Sequence, residues 1–256
     1  MTGSPSILLT NDDGIESPGL QALYDGLADV GSVTAVAPAT DQSAVGRSMS
    51  SEVAVHEHDL GYAVEGTPSD CVVAGLDALC PDPDVVVSGS NEGANLGMYV
   101  LGRSGTVSAA VEAAFFGVPA IATSLYLPPD TFGGGTTYDE HRHAVRATRH
   151  LVEGALDTAV FDEADYLNVN APLPGEGDAA MAVTRPSHAY DMAAVHESGR
   201  VRLNDQMWER VENGDIDDPP GTDRRAILDG MVSVSPLTAP HTTERHDALD
   251  ELAARY

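Results

Sequence analysis

The sequence predicts a three-layer α/β/α fold of the Rossmann-like kind, with a mostly parallel sheet and a C-terminal extension formed by a hairpin arm and a terminal helix. Short aliphatic runs alternate with segments that open on helix caps, the rhythm of βαβ units. Several of these runs end directly in polar, Gly-rich turns, as strands buried under helices do. The chain has 256 residues, 42% of them hydrophobic and only 5% aromatic, so one large core must be packed mainly from Val, Ala, Leu and Ile.

Ser6 to Thr10 is the first strand. Ser17-Pro18 pairs an N-cap with a proline at the first helical position and opens a helix to about Leu27. Ser32 to Ala37 is the second strand, ended by Pro38, and residues 39 to 51 form a polar loop. Val53 to Val64 reads as two short strands turning near Gly61. Thr67-Pro68-Ser69-Asp70 combines an N-cap, a proline and an acid at the third helical position, starting a helix to about Leu79. Asp84 to Ser88 is a strand followed by a Gly-rich loop to Gly105, and Thr106 to Phe116 a helix closed by Gly117. Pro119 to Ser124 (strand), His141 to Gly154 (helix) and Tyr166 to Val169 (strand) continue the alternation. Arg185 to Pro220 is polar and broken by Gly and Pro, an extended excursion with the character of a protruding hairpin. A short helix at Asp223 to Leu228, a strand at Met231 to Val234 and a helix from about Thr243 follow. The expected division is a Rossmann-like core over 1–184 and an arm with a C-terminal segment packing on the core over 185–256.

Charge narrows the partners. Forty Asp and Glu stand against 13 basic residues, all of them Arg, for a net charge of −27. The acids are spread along the whole chain, so this is an acidic surface and not a tail; such a surface repels itself in dilute buffer and suits a salt-rich cytoplasm. It disfavours duplex nucleic acid and anionic membranes, which need clustered cations. A small anion remains a fitting ligand if a metal ion supplies positive charge. Met1 to Pro5 lacks basic residues and a long apolar run follows nowhere, so a cytoplasmic location is expected. Cys71 and Cys80 are too few for a disulfide framework and are expected as free, partly buried thiols.

The first strand runs into Asn11-Asp12-Asp13-Gly14. Ligands of parallel α/β sheets bind at the carboxyl ends of strands, and two adjacent acids there are most favourable with a cation between them. Hard oxygen donors suit Mg2+ or Mn2+; an Asx turn is the alternative for the same residues. A second strand end carries Ser88-Gly-Ser-Asn-Glu-Gly-Ala-Asn95, in which Asn91 and Asn95 offer neutral oxygens or amides. Ser104-Gly105-Thr106 precedes a helix, where backbone N–H groups and hydroxyls form an anion site without Lys, or where Ser104 is a plain N-cap. The pairs His56/His58 and His141/His143 have zinc-like spacing but no nearby third ligand, and are expected as surface histidines. Without Lys a Walker loop is excluded, and no G-x-G-x-x-G opens the first helix.

Together these segments resemble the SurE family of stationary-phase survival proteins, metal-dependent nucleotidases. The resemblance lies in Ile7 to Gly14, Val36-Ala-Pro38, Gly66 to Cys71, Ser88 to Asn95, Ser104 to Val107, Asn168-Val-Asn170 with Pro172, and Gly221-Thr-Asp223 leading to Ser233 to Leu237, in the family's order. It implies one divalent cation held by Asp12, Asp13, Ser43 and Asn91, with Asn11, Asn95, Ser104, Gly105 and Thr106 at the phosphate or substrate. Asp12 and Asp13 would be catalytic, positioning or deprotonating water. The substrates implied are nucleoside 5′-monophosphates, with 3′-monophosphates as a second class, and the assembly is a homodimer or homotetramer joined through the arm. The loop Asp41 to Gly46 around Ser43 departs from the family's pattern, Ser90 replaces a usual Ile, and Arg103 stands where an aromatic is common. Two other readings stay open: a zinc-dependent amidohydrolase or deacetylase built on the Asp pair, for which no His lies between Ser6 and Gly31, and a non-catalytic nucleotide-binding module.

Overall fold

The computed structural model describes residues 4–80, 82–128, 131 and 133–239. The helix expected from Thr243 lies outside them. The strands are β1 (Ser6–Thr10), β2 (Ser32–Pro38), β3 (Val55–His58), β4 (Gly61–Val64), β5 (Val85–Glu92), β6 (Ala120–Tyr126), β7 (Tyr166–Pro172), β8 (Met181–Val183), β9 (Met192–Glu197), β10 (Arg200–Asp205) and β11 (Val232–Leu237). The helices are α1 (Pro18–Ala28), α2 (Pro68–Ala74), α3 (Met98–Leu101), α4 (Gly105–Phe115), α5 (Arg142–Ala155), α6 (Val160–Glu163), α7 (Met207–Glu212) and α8 (Asp223–Leu228).

Nine strands form one sheet in the order β3-β4-β2-β1-β5-β6-β7-β11-β8. From β4 to β7 every neighbouring pair is parallel. β3 runs antiparallel to β4, and β11 antiparallel to β7 but parallel to β8. The sheet therefore contains strands from both sides of residue 184. The expected layers follow from alternation along each strand. Ile7 and Leu9 of β1 join the cluster under α1 and α5, with Leu20, Leu23, Ala144 and Val152, whereas Leu8 joins Cys71, Val72, Val107 and Ala110 of α2 and α4 on the opposite face. Each of these side chains is at most 2% exposed, and burial of this kind contributes roughly 1.5–3 kcal/mol per large aliphatic residue.

Local signals operate as the sequence indicates. Ser17 caps α1, accepting from Leu20 N, and Thr67 and Asp70 form a reciprocal capping box on α2. The expected helix to Leu79 changes character, because after Ala74 the last turn widens into a π-turn, Gly75–Leu79. β5 is longer than expected and carries a register shift between Ser88 and Asn91 against β6. Gly89 is required there: its φ is +135° and a Cβ would stand 2.2 Å from the Thr123 carbonyl oxygen. The excursion after Arg185 contains the β9–β10 hairpin, as expected, together with α7, which no periodicity announced.

The reading of His141 and His143 as surface residues is incorrect. They are 0% and 2% exposed. His141 bridges Ser90 Oγ (2.9 Å) and Thr136 Oγ1 (2.9 Å), and burial pushes its pKa down to about 4. His143 Nε2 donates to the Gly177 carbonyl at 3.1 Å. The amphipathic pattern of α5 turns His143 inward, and His141, in the turn that leads into α5, is neutral and satisfies two hydroxyl partners. His56 and His58 do sit toward solvent, paired with Glu65 and Glu16. Cys71 and Cys80 are free thiols; Cys71 is fully buried and Cys80 nearly so, more than the partial burial expected. No described helix is long and apolar enough to cross a membrane.

Most Arg–carboxylate pairs are half exposed, for example Arg149–Glu153 and Arg225–Asp229, so each stabilises little, and a charge of −27 remains after every Arg is counted. The thermal midpoint should therefore rise as KCl is raised from about 0.1 M to about 1 M, because the screening length falls from about 10 Å to about 3 Å. Melting curves across that series check it; a flat midpoint contradicts the role assigned to surface repulsion.

Candidate functional site

The carboxyl ends of β1, β5 and β6 converge with the start of α4, as the parallel sheet requires. Asn11 makes the turn after β1: its Nδ2 donates to the Gly14 carbonyl and to Ser17 Oγ, and its Oδ1 accepts from Gly14 N. These bonds set the backbone that carries Asp12 and Asp13, and they place Asn11 as a turn-former behind the site.

Asp12 is 3% exposed. Its Oδ1 accepts from Thr106 Oγ1 at 2.6 Å. Gly105 lies against it so closely that a Cβ there would be 2.8 Å from both Asp12 Cβ and Oδ2. The N-terminus of α4, capped by Ser104 Oγ on Val107 N, thus holds a carboxylate of the protein itself. Asp13 Oδ2 accepts from Glu92 N at 3.0 Å, which ties the end of β1 to the end of β5. Burial, and to a lesser degree Asp12, pushes the Asp13 carboxyl up to about 7; burial likewise raises Asp12.

A cleft of about 460 Å3 opens beside these groups. Asp12, Ser43, Asn91, Asn95 and Ser104 line it, whereas Asn11, Asp13, Gly105 and Thr106 are not among the lining residues. Ser43 is exposed; its hydroxyl donates to Asp41 Oδ1 at 2.6 Å, which leaves the oxygen's lone pairs free to face a cation. Asn91 Nδ2 donates to the Gly93 carbonyl, so its Oδ1 remains the acceptor. Asn95 is held from below: its N–H donates to Asn170 Oδ1 (2.8 Å), its carbonyl accepts from Asn168 and Asn170, and its Nδ2 donates to Ser124 Oγ (2.8 Å).

The donor set suits a hard cation. Asp12 and Asp13 have no ion-pair partner among the described residues, and around them stand hydroxyl and amide oxygens together with the further carboxylates of Asp41 and Glu92. No three His, Cys, Asp or Glu side chains gather into a cage among the described residues. Two carboxylates completed by neutral oxygens and water are characteristic of Mg2+ or Mn2+ sites.

Some contributors escaped the sequence reading. Asn168 and Asn170, both 0% exposed, were noted as a motif without a task; their signal is two polar residues at period two inside an apolar strand, hence on one face. Asp223, also 0% exposed, accepts from Gly97 N (2.7 Å) and Ser187 N (2.9 Å) and so joins the loop after Asn95 to the base of the arm. The arm itself brings Asp205 and Trp208 to the cleft.

Fold and site together define a class: three-layer α/β proteins with an acidic, oxygen-lined pocket at the carboxyl ends of parallel strands. Residues 7–192 match the family model described as "Survival protein SurE". Over 98% of both chains, the sequence is 66% identical to "5'-nucleotidase SurE" of Halobacterium salinarum, and it is 40% identical to the protein of that name from Methanoculleus marisnigri over 98% of this chain and 97% of the relative. The crystal structure of the SurE protein from Aquifex aeolicus superposes with a TM-score of 0.80 at 31% identity, covering 97% of this chain and all of that one. The chain belongs to the SurE family.

Proposed function

We propose that this protein is a 5′-nucleotidase: a metal-dependent phosphomonoesterase that converts nucleoside 5′-monophosphates, and 3′-monophosphates as a second class, to nucleoside and phosphate in the cytoplasm. The observation that carries the reading is the adjacent carboxylates of Asp12, buried and lining an oxygen-rich cleft, and Asp13, half-buried next to it, in a chain 66% identical to a relative named for that activity. Asp12, Asp13, Ser43 and Asn91 would hold one Mg2+ or Mn2+, which supplies Lewis acidity toward the phosphoryl oxygens and the attacking water. Asp12, fixed by Thr106, orients the attacking water, and Asp12 or Asp13 receives its proton. The Ser104–Gly105 turn and Asn95 present hydroxyl, N–H and amide groups to the phosphate. Asn11 acts by shaping the turn. The arm supports assembly into a homodimer or homotetramer: Val195, Val201 and Leu203 on its hairpin are 49%, 59% and 72% exposed.

Phosphate release from a panel of nucleoside monophosphates, with Mg2+ or Mn2+ and then after chelation, tests the proposal. Release that requires the cation and stops on chelation is expected. Cation-independent hydrolysis would remove the metal from the reading, and saturable nucleotide binding without release would favour the non-catalytic module.

A further inference from the structure

Trp208 is the single tryptophan of the chain, and it lines the same cleft as Asp12, Asn91 and Ser104. It is held firmly. Its ring stacks on that of Tyr126 at the end of β6, with centroids 6.2 Å apart and planes at 29°. The preceding residue, Met207, is 6% exposed and packs its sulfur on the Arg224 guanidinium, which is itself buried and bonded to Asp218 (3.0 Å) and to the Ala189 carbonyl (3.0 Å). Asp205, at the end of β10, accepts from Met207 N and also lines the cleft. Val100 and Leu127 add aliphatic wall.

The lining thus combines two chemistries. Residues from β1, β5 and the start of α4 supply oxygens suited to a cation and a phosphate; the arm supplies an indole, a carboxylate acceptor and apolar neighbours. A volume of about 460 Å3 is within the range of small-molecule sites, about 300–1,000 Å3, and exceeds what inorganic phosphate alone requires.

We propose that the Trp208 wall is the base subsite: the nucleobase stacks on the indole, with Asp205 accepting from its N–H edge, while the phosphate lies by Asp12. This rests on the nucleotidase reading of the Asp12 end. Stacking serves bases of every kind because each has a π-face, and it requires no cationic side chain, which suits a chain with so few. The consequence is a division of labour in which the core performs the chemistry and the arm recognises the nucleoside.

A lone tryptophan makes the wild-type protein its own reporter. In the presence of Mg2+, AMP should quench its fluorescence saturably, whereas ribose 5-phosphate, which carries the phosphate without the base, should not. No change with AMP, or an equal change with ribose 5-phosphate, overturns the subsite. As a second arm, Trp208→Ala should lower the kcat/KM preference for AMP over ribose 5-phosphate about tenfold, the scale of one base–aromatic stack, with Trp208→Phe retaining most of it. An unchanged preference in Trp208→Ala also overturns it. Quenching by AMP without phosphate release would support the subsite and remove the nucleotidase reading, so the two fail separately.

Discussion

Asp12→Asn is expected to lower turnover of a nucleoside monophosphate about a thousandfold or more, the effect of removing several kcal/mol of interaction with the developing charge. Cation affinity should fall with it. The substitution preserves size and can still accept from Thr106 Oγ1, so the loop geometry is kept while one negative ligand is lost. Because Asp12 is buried without an ion-pair partner among the described residues, removing its charge should not lower the thermal midpoint of the metal-free protein. Initial rates, cation titration by calorimetry and a melting curve separate ligand loss from unfolding. Near-native turnover in Asp12→Asn would displace the assigned site. Thr106→Val provides the graded companion. Sequence position alone groups Thr106 with the phosphate and predicts intact cation binding, but its hydroxyl holds Asp12 at 2.6 Å, so cation affinity and rate should both fall, less steeply than in Asp12→Asn.

Asp218→Asn is expected to produce the largest loss of stability. Asp218 and Arg224 form an ion pair at 3.0 Å with side chains 2% and 4% exposed. Removing one partner leaves a guanidinium buried without its counter-charge, a change that costs about 3–5 kcal/mol. For a chain of this size that lowers the thermal midpoint by roughly 10 °C. Glu153→Gln, which breaks the half-exposed pair with Arg149, should cost only about 0.3–0.5 kcal/mol and serves as the control. Melting curves of the two variants at one high salt concentration decide the matter, and equal shifts would contradict the importance given to burial. The same network joins α8, the arm and, through Asp223, the Gly97 loop, so Asp218→Asn should also weaken nucleotide binding.

Most of the architecture was legible because local signals and global fold agree. The apolar runs at Ile7–Leu9 and Val85–Val87, the caps at Ser17, Thr67 and Ser104, and the helix Asp223–Leu228 all form as their residues dictate. The cleft residues Asp12, Ser43, Asn91, Asn95 and Ser104 were likewise nominated from strand ends, a helix cap and a family resemblance, and the fold gathers them around one cavity. What escaped were elements with no local signature. β8 is three residues long and mostly exposed, and exists because β11 offers it an edge; α7 is a short helix stabilised by tertiary contacts.

What the sequence by itself determined, then, is the layered fold and the acidic character, and it nominated candidate oxygen donors, since periodicity, capping and charge are properties of neighbouring residues. Only the tertiary structure decided which donors face the cleft and which brace them. It turned Thr106 onto Asp12, buried His141 between Ser90 and Thr136, stacked Asn168 and Asn170 beneath Asn95, and carried Trp208 from the arm to the cleft. Each of these contacts joins residues from different elements, most of them dozens of positions apart, and a hydrogen bond or a ring contact is set by distance in space, which the order of residues along the chain does not encode locally.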